Sequence, residues 1–256
     1  MMRVVVWLLK IGGLVYLGFG ALLYFGQRSM MYLPVAENPA EDLGVEWLQV
    51  DGASVKLWVV NPGASRALLY FGGNAEDVYF NARDFAERLP GHTVYLVNYR
   101  GYGGSSGSPT EGALFADTLT VFDAVRPRHQ GVDVMGRSLG SGIAVYLASE
   151  RDIGRLVLAT PHDSATAIAR RLYPVYPIDW LLKDRYDSVR YASAVTGPVM
   201  LLIAEHDRII PAAHSTRLAE AFRPAQVDAV VVSGADHNSI AGFERYWSAL
   251  ADFLGH

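Results

Sequence analysis

The spacing of apolar positions changes character several times along the chain. The longest run comes first: residues 4–25, VVVWLLKIGGLVYLGFGALLYF, carry one charge, Lys10. About 20 consecutive apolar residues cross a bilayer as a helix. The pattern therefore predicts a transmembrane anchor within residues 1–28 and a linker over 29–44. Lys10 lies near one end and can snorkel towards headgroups, and Trp7 and Tyr24 bring amphipathic rings near the two ends. The pattern leaves two alternatives open. One is a cleaved signal, with Gly18-Phe19-Gly20 as a small-x-small site. The other is a buried core helix.

Beyond the linker, short β-branched runs alternate with helical stretches. Residues 45–50 (VEWLQV) and 54–60 (SVKLWVV), joined through Asp51-Gly52-Ala53, read as a hairpin. Further strands are predicted over 66–71, 93–99, 132–136, 155–160, 198–204 and 227–233. Helices are predicted over 76–89, 111–125, 139–149, 214–222 and 243–254. This alternation predicts an α/β fold, a mostly parallel central sheet with helices on both faces, in one domain over 45–256. The hairpin supplies a mixed edge. Residues 160–196 are poor in strand signal and rich in Pro and Tyr, which fits a short cap or a longer helical excursion.

Composition narrows the chemistry. With 22 Lys+Arg against 26 Asp+Glu, the chain lacks the basic excess of a nucleic-acid binder. There is no cysteine, which excludes disulfides, thiol catalysis and Cys-based zinc sites. Arg3, Lys10 and the terminal amine precede the apolar run or lie in its first half, and Arg28 follows it. The positive-inside rule then favours a cytoplasmic N-terminus, with the remaining domain on the non-cytoplasmic side of a single-pass anchor.

Two stretches fit the G-x-S-x-G pattern of a serine nucleophile, Gly103-Gly104-Ser105-Ser106-Gly107 and Gly136-Arg137-Ser138-Leu139-Gly140. The pattern has meaning only at a sharp strand-to-helix turn. Ser138 directly follows the strand VDVM and precedes a helical run. Ser105 comes six residues after its strand's apolar core ends, and Gly107-Ser108-Pro109 follows, through which no helix continues easily. Ser138 is the candidate nucleophile and Ser105 a loop serine.

A serine needs a base, and the base needs an orienting acid. Just past the strand over 198–204 come Glu205 and Asp207. Just past the last strand comes His237. The order Ser138, Asp207, His237 matches that of the strand–elbow hydrolases. Asp163, also at a strand end, is a rival acid, and Glu205 a weaker one. His206 precedes the final strand and reads as a surface residue. The oxyanion needs two donors. One is the backbone N–H of Leu139 at a helix N-terminus. The other comes from Gly72-Gly73-Asn74-Ala75, with Asn74 as the donor residue and also a candidate helix cap. No metal or cofactor is called for.

The blocks FGGNAEDV, NYRGYGGSSGSPTE, GRSLGSGIA, LLKDRYDS, LLIAEHDRIIP and GADHNSI resemble those of the α/β-hydrolase superfamily. They look most like the branch holding depalmitoylase-like proteins, with monoacylglycerol and lysophospholipid lipases and serine aminopeptidase-type relatives nearby. The resemblance covers about residues 45–254. It implies Ser138 as nucleophile, Asp207 as acid, His237 as base, and the backbone of Asn74 and Leu139 as oxyanion hole. Relatives usually carry His-Gly-Asn-Ala where this chain has Gly72-Gly73-Asn74-Ala75. The donor there is backbone, so the departure touches substrate preference rather than activity. Eukaryotic depalmitoylases of this type attach through a cysteine-rich tail. Here the transmembrane segment takes that place.

Together these readings predict a membrane-anchored serine hydrolase for esters or thioesters of lipid-like acyl groups. Residues 170–182 (RRLYPVYPIDWLL) offer side chains for an acyl site, or for ordinary core packing. A peptidase for short peptides and a catalytically silent binding protein are the alternatives. The sequence does not determine the oligomeric state.

Overall fold

The hairpin signal becomes a turn of two residues, Asp51-Gly52, with Val50 opposite Ala53 and Gly52 at φ +68. It joins β1 (Gly44–Val50) and β2 (Ala53–Val60). The computed structural model describes residues 2–255. Its other strands are β3 (Arg66–Phe71), β4 (His92–Val97), β5 (Gly131–Arg137), β6 (Leu156–Ala159), β7 (Val199–Ala204) and β8 (Val227–Val232). They form one sheet in the order β1-β2-β4-β3-β5-β6-β7-β8. Every pairing from β4 through β8 is parallel, while β2 pairs antiparallel with both β1 and β4. After β3 the chain steps outwards to β4, then returns to β5 on the other side. The C-terminal ends of β3 and β5 thus flank the point where strand order reverses, the usual ligand crevice of such sheets.

The helices are α1 (Met2–Met31), α2 (Ala82–Arg88), α3 (Glu111–Val125), α4 (Leu139–Glu150), α5 (Ala165–Leu172), α6 (Ile178–Leu181), α7 (Ser188–Ala192), α8 (Ala212–Ala221) and α9 (Glu244–Gly255). The two faces of the sheet are buried under different helices. In β3, Ala67, Leu69 and Phe71 join the core with Leu114, Ile143 and Leu218 of α3, α4 and α8. Leu68 and Tyr70 point the other way, to Phe85 and Trp247 of α2 and α9. This period-2 division, with both faces apolar, is why these strands read as nearly continuous hydrophobic runs.

Two stretches differ from the sequence expectation. The helix expected over 76–89 is split into a 3-10 turn, Val78–Asn81, and α2. Asp77 accepts from Tyr79 N, and the Asn81 amide donates to Glu76 and to Val78 O, so local side-chain bonds compete with the helical ladder. Residues 160–196 form the three short helices α5, α6 and α7. α7 packs on α4 and α8, whereas α5 and α6 form a cap beside α1.

α1 is long and apolar enough to cross a bilayer, and none of its residues is buried. The chain then lies down on the domain. Tyr32 is buried and its hydroxyl meets that of Tyr186 at 2.7 Å. Leu33 N donates to Asn74 Oδ1, Gly103 N donates to Val35 O, and Lys56 pairs with Glu37.

Candidate active site

Ser138 stands between β5 and α4 with φ 50 and ψ −114, a conformation that residues other than glycine rarely adopt. The flanking glycines make it attainable. A Cβ on Gly136 would collide with Gly140 O, and one on Gly140 would collide with Phe71 O. The turn is held by Ser138 N donating to Ala159 O and by the Ser141 hydroxyl donating to Ser138 O at 2.6 Å. Ser105 has a different setting. It is buried, donates to Asn98 O at 3.0 Å and accepts from Lys56 N at 2.9 Å. Its hydroxyl is spent on joining the loop to β2.

Asp207 follows β7 and His237 follows β8, so both stand at the same sheet edge as Ser138. One carboxylate oxygen of Asp207 accepts from Ile209 N at 2.9 Å and Ile210 N at 2.7 Å. The other lies 2.7 Å from His237 Nδ1. His237 Nε2 lies 2.9 Å from Ser138 Oγ. With two amides fixing the carboxylate, the ring has one sensible tautomer: Nδ1–H donates to Asp207, and Nε2 accepts from the serine hydroxyl. The structure thus brings Ser138, His237 and Asp207 into one hydrogen-bonded line.

The rival acids point elsewhere. Asp163 is bonded to His214 Nδ1 and Arg217 Nε, each at 2.7 Å, and accepts from Ser164 N. Burial works to raise its carboxyl, but those hydrogen bonds outweigh burial and hold it below the usual range. Glu205 accepts from Gly234 N, and His206 is exposed.

Leu139 opens α4, so its N–H is one of the unpaired donors of a helix N-terminus. Asn74 lies in the loop after β3. A Cβ on Gly73 would be 3.5 Å from Ser138 Cβ, which shows how closely this loop passes the serine. Asn74 does not cap a helix. The short helix is capped by Asp77, while Asn74 Oδ1 accepts from Leu33 N and Tyr102 Oη at 2.9 Å and from Ala75 N at 3.1 Å. Burial pushes the Tyr102 hydroxyl up to about 12, which keeps it a donor. At the first position of the Gly72-Gly73-Asn74-Ala75 block, a Cβ on Gly72 would meet Val78 Cγ1 at 2.7 Å, so a His there would require Val78 to move.

Sequence reasoning missed the brace behind this loop. Glu76 accepts from Gly73 N at 2.6 Å, from Tyr70 Oη at 2.6 Å, from Asn81 Nδ2 at 2.7 Å and from Arg137 at 3.1 Å. Arg137 also reaches His237 O at 3.4 Å. The variable residue of G-x-S-x-G therefore ties the loop after β3 to the loop carrying His237. Only the adjacency of an acid to Gly-Gly-Asn hinted at it.

A cavity of about 390 Å³ opens beside Ser138, Leu139 and Asn74. The cap contributes Ala165, Ile168, Ala169, Leu172, Tyr173, Tyr176, Ile178, Leu181 and Leu182, and α1 contributes Leu23, Tyr24, Gln27, Met30 and Met31. Six residues of the 170–182 stretch thus face the cavity, while Trp180 points outwards. The cavity's buried imidazole is His162, held down at about 4 chiefly by burial. No group of three or more potential metal-ligating side chains occurs among the described residues.

A family model described as alpha/beta hydrolase fold matches residues 66–177. An uncharacterized protein of Mycobacterium tuberculosis is 35% identical over 246 residues, covering 88% of this chain and 85% of the relative. Alpha/beta hydrolase domain-containing protein 17C of Xenopus laevis is 29% identical over 207 residues, covering 77% of this chain and 63% of that protein. Among solved structures, the Pyrococcus furiosus esterase Pf2001 superposes with a TM-score of 0.71 at 18% identity, covering 88% of this chain and 98% of the esterase. That likeness establishes the fold.

Proposed function

The chain belongs to the α/β-hydrolase-fold family, and on that footing we propose that it is a membrane-anchored serine hydrolase of acyl esters or thioesters. The observation that carries the reading is the line Asp207–His237–Ser138, with contacts of 2.7 and 2.9 Å, beside a cavity lined mainly by aliphatic and aromatic side chains. Such a lining suits a hydrocarbon chain. A peptide backbone would need rows of donors and acceptors, whereas the lining offers only scattered ones, from Gln27, Asn74, His162 and the hydroxyls of Tyr24, Tyr173 and Tyr176.

The chemistry follows from the geometry. Ser138 Oγ attacks the acyl carbonyl carbon as its proton passes to His237 Nε2. Asp207 stabilises the imidazolium that results. The carbonyl oxygen takes up negative charge facing the N–H groups of Leu139 and Asn74. An oxyanion donor of this kind is worth about 2.7–4 kcal/mol. The tetrahedral intermediate collapses, the bond to the leaving oxygen or sulfur breaks, and His237 returns its proton to the departing alcohol or thiol. Water then attacks the acyl-enzyme with His237 again as base, releasing the acid and restoring Ser138.

In this reading α1 crosses the bilayer through residues 4–25, and the domain stands on the side opposite the N-terminus. The test is labelling of the detergent-solubilised protein with a fluorophosphonate, followed by a panel of esters, thioesters and short peptides. Ser138→Ala should abolish both labelling and turnover. Labelling that survives in Ser138→Ala, or turnover confined to peptides, overturns the assignment.

A further inference from the structure

A tether needs only length and hydropathy, yet α1 is fitted to the cap side chain by side chain. Tyr16 Oη donates to Val175 O at 2.9 Å, Tyr176 Oη donates to Tyr16 O at 3.0 Å, and the two rings stack 4.6 Å apart. Eleven residues on, Gln27 donates to Leu181 O at 3.1 Å and accepts from Lys183 N at 2.7 Å. Arg28 makes two bonds to the buried Asp184, at 2.8 and 3.2 Å. The helix is thus fastened along the cap from Tyr16 to Arg28, a span of about 18 Å at 1.5 Å per residue.

The fastened face is the one that meets the cavity. Leu23, Gln27, Met30 and Met31 follow an i, i+4, i+7, i+8 spacing and share one side of α1. Opposite them, Ala165, Ile168, Ala169 and Leu172 of α5 follow i, i+3, i+4, i+7. The apolar stripe of α5 faces a stripe of α1 that is apolar apart from Gln27, and the small Ala165 and Ala169 leave a slot between them. Ser138 lines the same cavity.

The tip of this assembly presents Val175 and Trp180, 69% and 86% exposed, beside the exposed ion pair of Arg170 and Asp179. The backbone beneath them is nearly self-sufficient. Pro174 and Pro177 have no N–H, and Tyr173, Tyr176, Ile178, Trp180, Leu181 and Leu182 donate to internal carbonyls. A segment with few free donors tolerates a lipid surrounding. If Phe25 marks the end of the apolar run, Tyr16 lies about 14 Å back along the helix axis. That places the cap tip at the level of one leaflet.

We propose that α1 is a wall of the acyl site as well as an anchor, and that a single acyl chain of a membrane-resident ester or thioester passes from the bilayer into the slot between α1 and the cap. The proposal rests on the hydrolase reading above. Leu23 and Met30 then set which chains fit.

The experiment uses the full-length protein in vesicles and reads two independent quantities. The first is the ratio of kcat/KM for a long-chain ester to that for a short-chain ester. Leu23→Trp and Met30→Trp should lower it about tenfold or more, the scale on which a pocket senses a few methylenes. Leu17→Trp, on an exposed part of α1 outside the cavity, should leave it unchanged. Equal ratios in all variants overturn the proposal. The second uses the absence of native cysteine. Palmitate should slow N-ethylmaleimide alkylation of Leu23→Cys and Met30→Cys several-fold, but not that of Phe80→Cys on the exposed surface. Lack of protection overturns the proposal whether or not the protein turns over esters. Protection without turnover would keep the acyl slot and remove the hydrolase reading instead.

Discussion

His162 should make the protein sensitive to mild acid, and the size of the effect follows from its burial. The imidazole is 3% exposed, and its Nδ1 has no hydrogen-bond partner. Burial holds its pKa at about 4 against an ordinary 6.5, with Asp163 pulling it up and His214 and His237 pushing it further down. Above pH 6.5 the ring is neutral in both folded and unfolded chains and costs nothing. As pH falls from 6.5 towards 4, the unfolded chain takes a proton that the folded chain refuses, so stability drops. At about 1.4 kcal/mol per pH unit, the interval from 6.5 to about 4 amounts to about 3 kcal/mol. His162→Phe removes the titration and keeps an aromatic ring near Tyr186. Urea denaturation of both full-length proteins in detergent, followed from about pH 7 to about pH 4, isolates the term. Acid-titrating groups that do not couple to His162 are common to both chains and cancel in the difference, and a parallel His214→Phe pair of melts measures the coupling that remains. The wild type should lose about 3 kcal/mol more than the variant, with the gap opening only below about pH 6.5. Parallel curves through that window would refute the reasoning, because the ring would then be free to charge in the folded state.

Asp207→Asn should leave the fold intact and lower kcat by about three to four orders of magnitude, since the amide favours the wrong His237 tautomer. Asp163→Asn should instead lower Tm, by unpairing His214 and Arg217, with a small effect on kcat. The opposite ranking, read from steady-state kinetics and thermal melts, would move the acid to Asp163. Glu76→Gln should reduce kcat about tenfold with KM nearly constant, because it loosens the loop whose Asn74 N–H we propose as an oxyanion donor. An unchanged kcat, or a loss carried wholly by KM, would show that the Glu76–Arg137 pair does not position that donor.

Much of the site's layout was legible because a parallel sheet brings all its C-terminal ends to one edge. Residues that follow three different apolar runs, at 138, 207 and 237, are then neighbours whatever their separation in sequence. The same logic separated Ser138 from Ser105, since one strand runs straight into a helix and the other into a loop with Gly103, Gly104 and Gly107 at positive φ. Local signals were sharpest where side chain and backbone agreed. The helix expected over 111–125 begins at Glu111, where Thr110 Oγ1 accepts from Ala113 N, and it ends at Val125. They failed over 76–89, where Asp77 and Asn81 bond to nearby backbone and interrupt a segment whose apolar spacing was helical.

The part that stayed hidden is the cavity face of α1, and the reason is physical. A helix face is visible in sequence only when the opposite side is polar. Apart from Lys10, residues 4–25 are apolar all round, so Leu23 looks no different from Leu22, which is exposed. The polar residues that could betray a docked face, Gln27 and Arg28, find their partners more than 150 positions away, at Leu181 and Asp184. Hydropathy alone therefore reads α1 as separable from the domain. Cutting at residue 28 would leave the sheet untouched, since β1 starts at Gly44. The same cut would strip Leu23, Tyr24 and Gln27 from the cavity and take from Asp184 its Arg28 partner, leaving it the Glu111 N–H. Removing the ion-pair partner of a buried carboxylate is costly, and Asp184 sits at the base of the cap. The apolar helix α1 and the cap of this hydrolase fold are thus one structural unit, joined at Tyr16–Val175 and at Arg28–Asp184, with the cavity held between those two points.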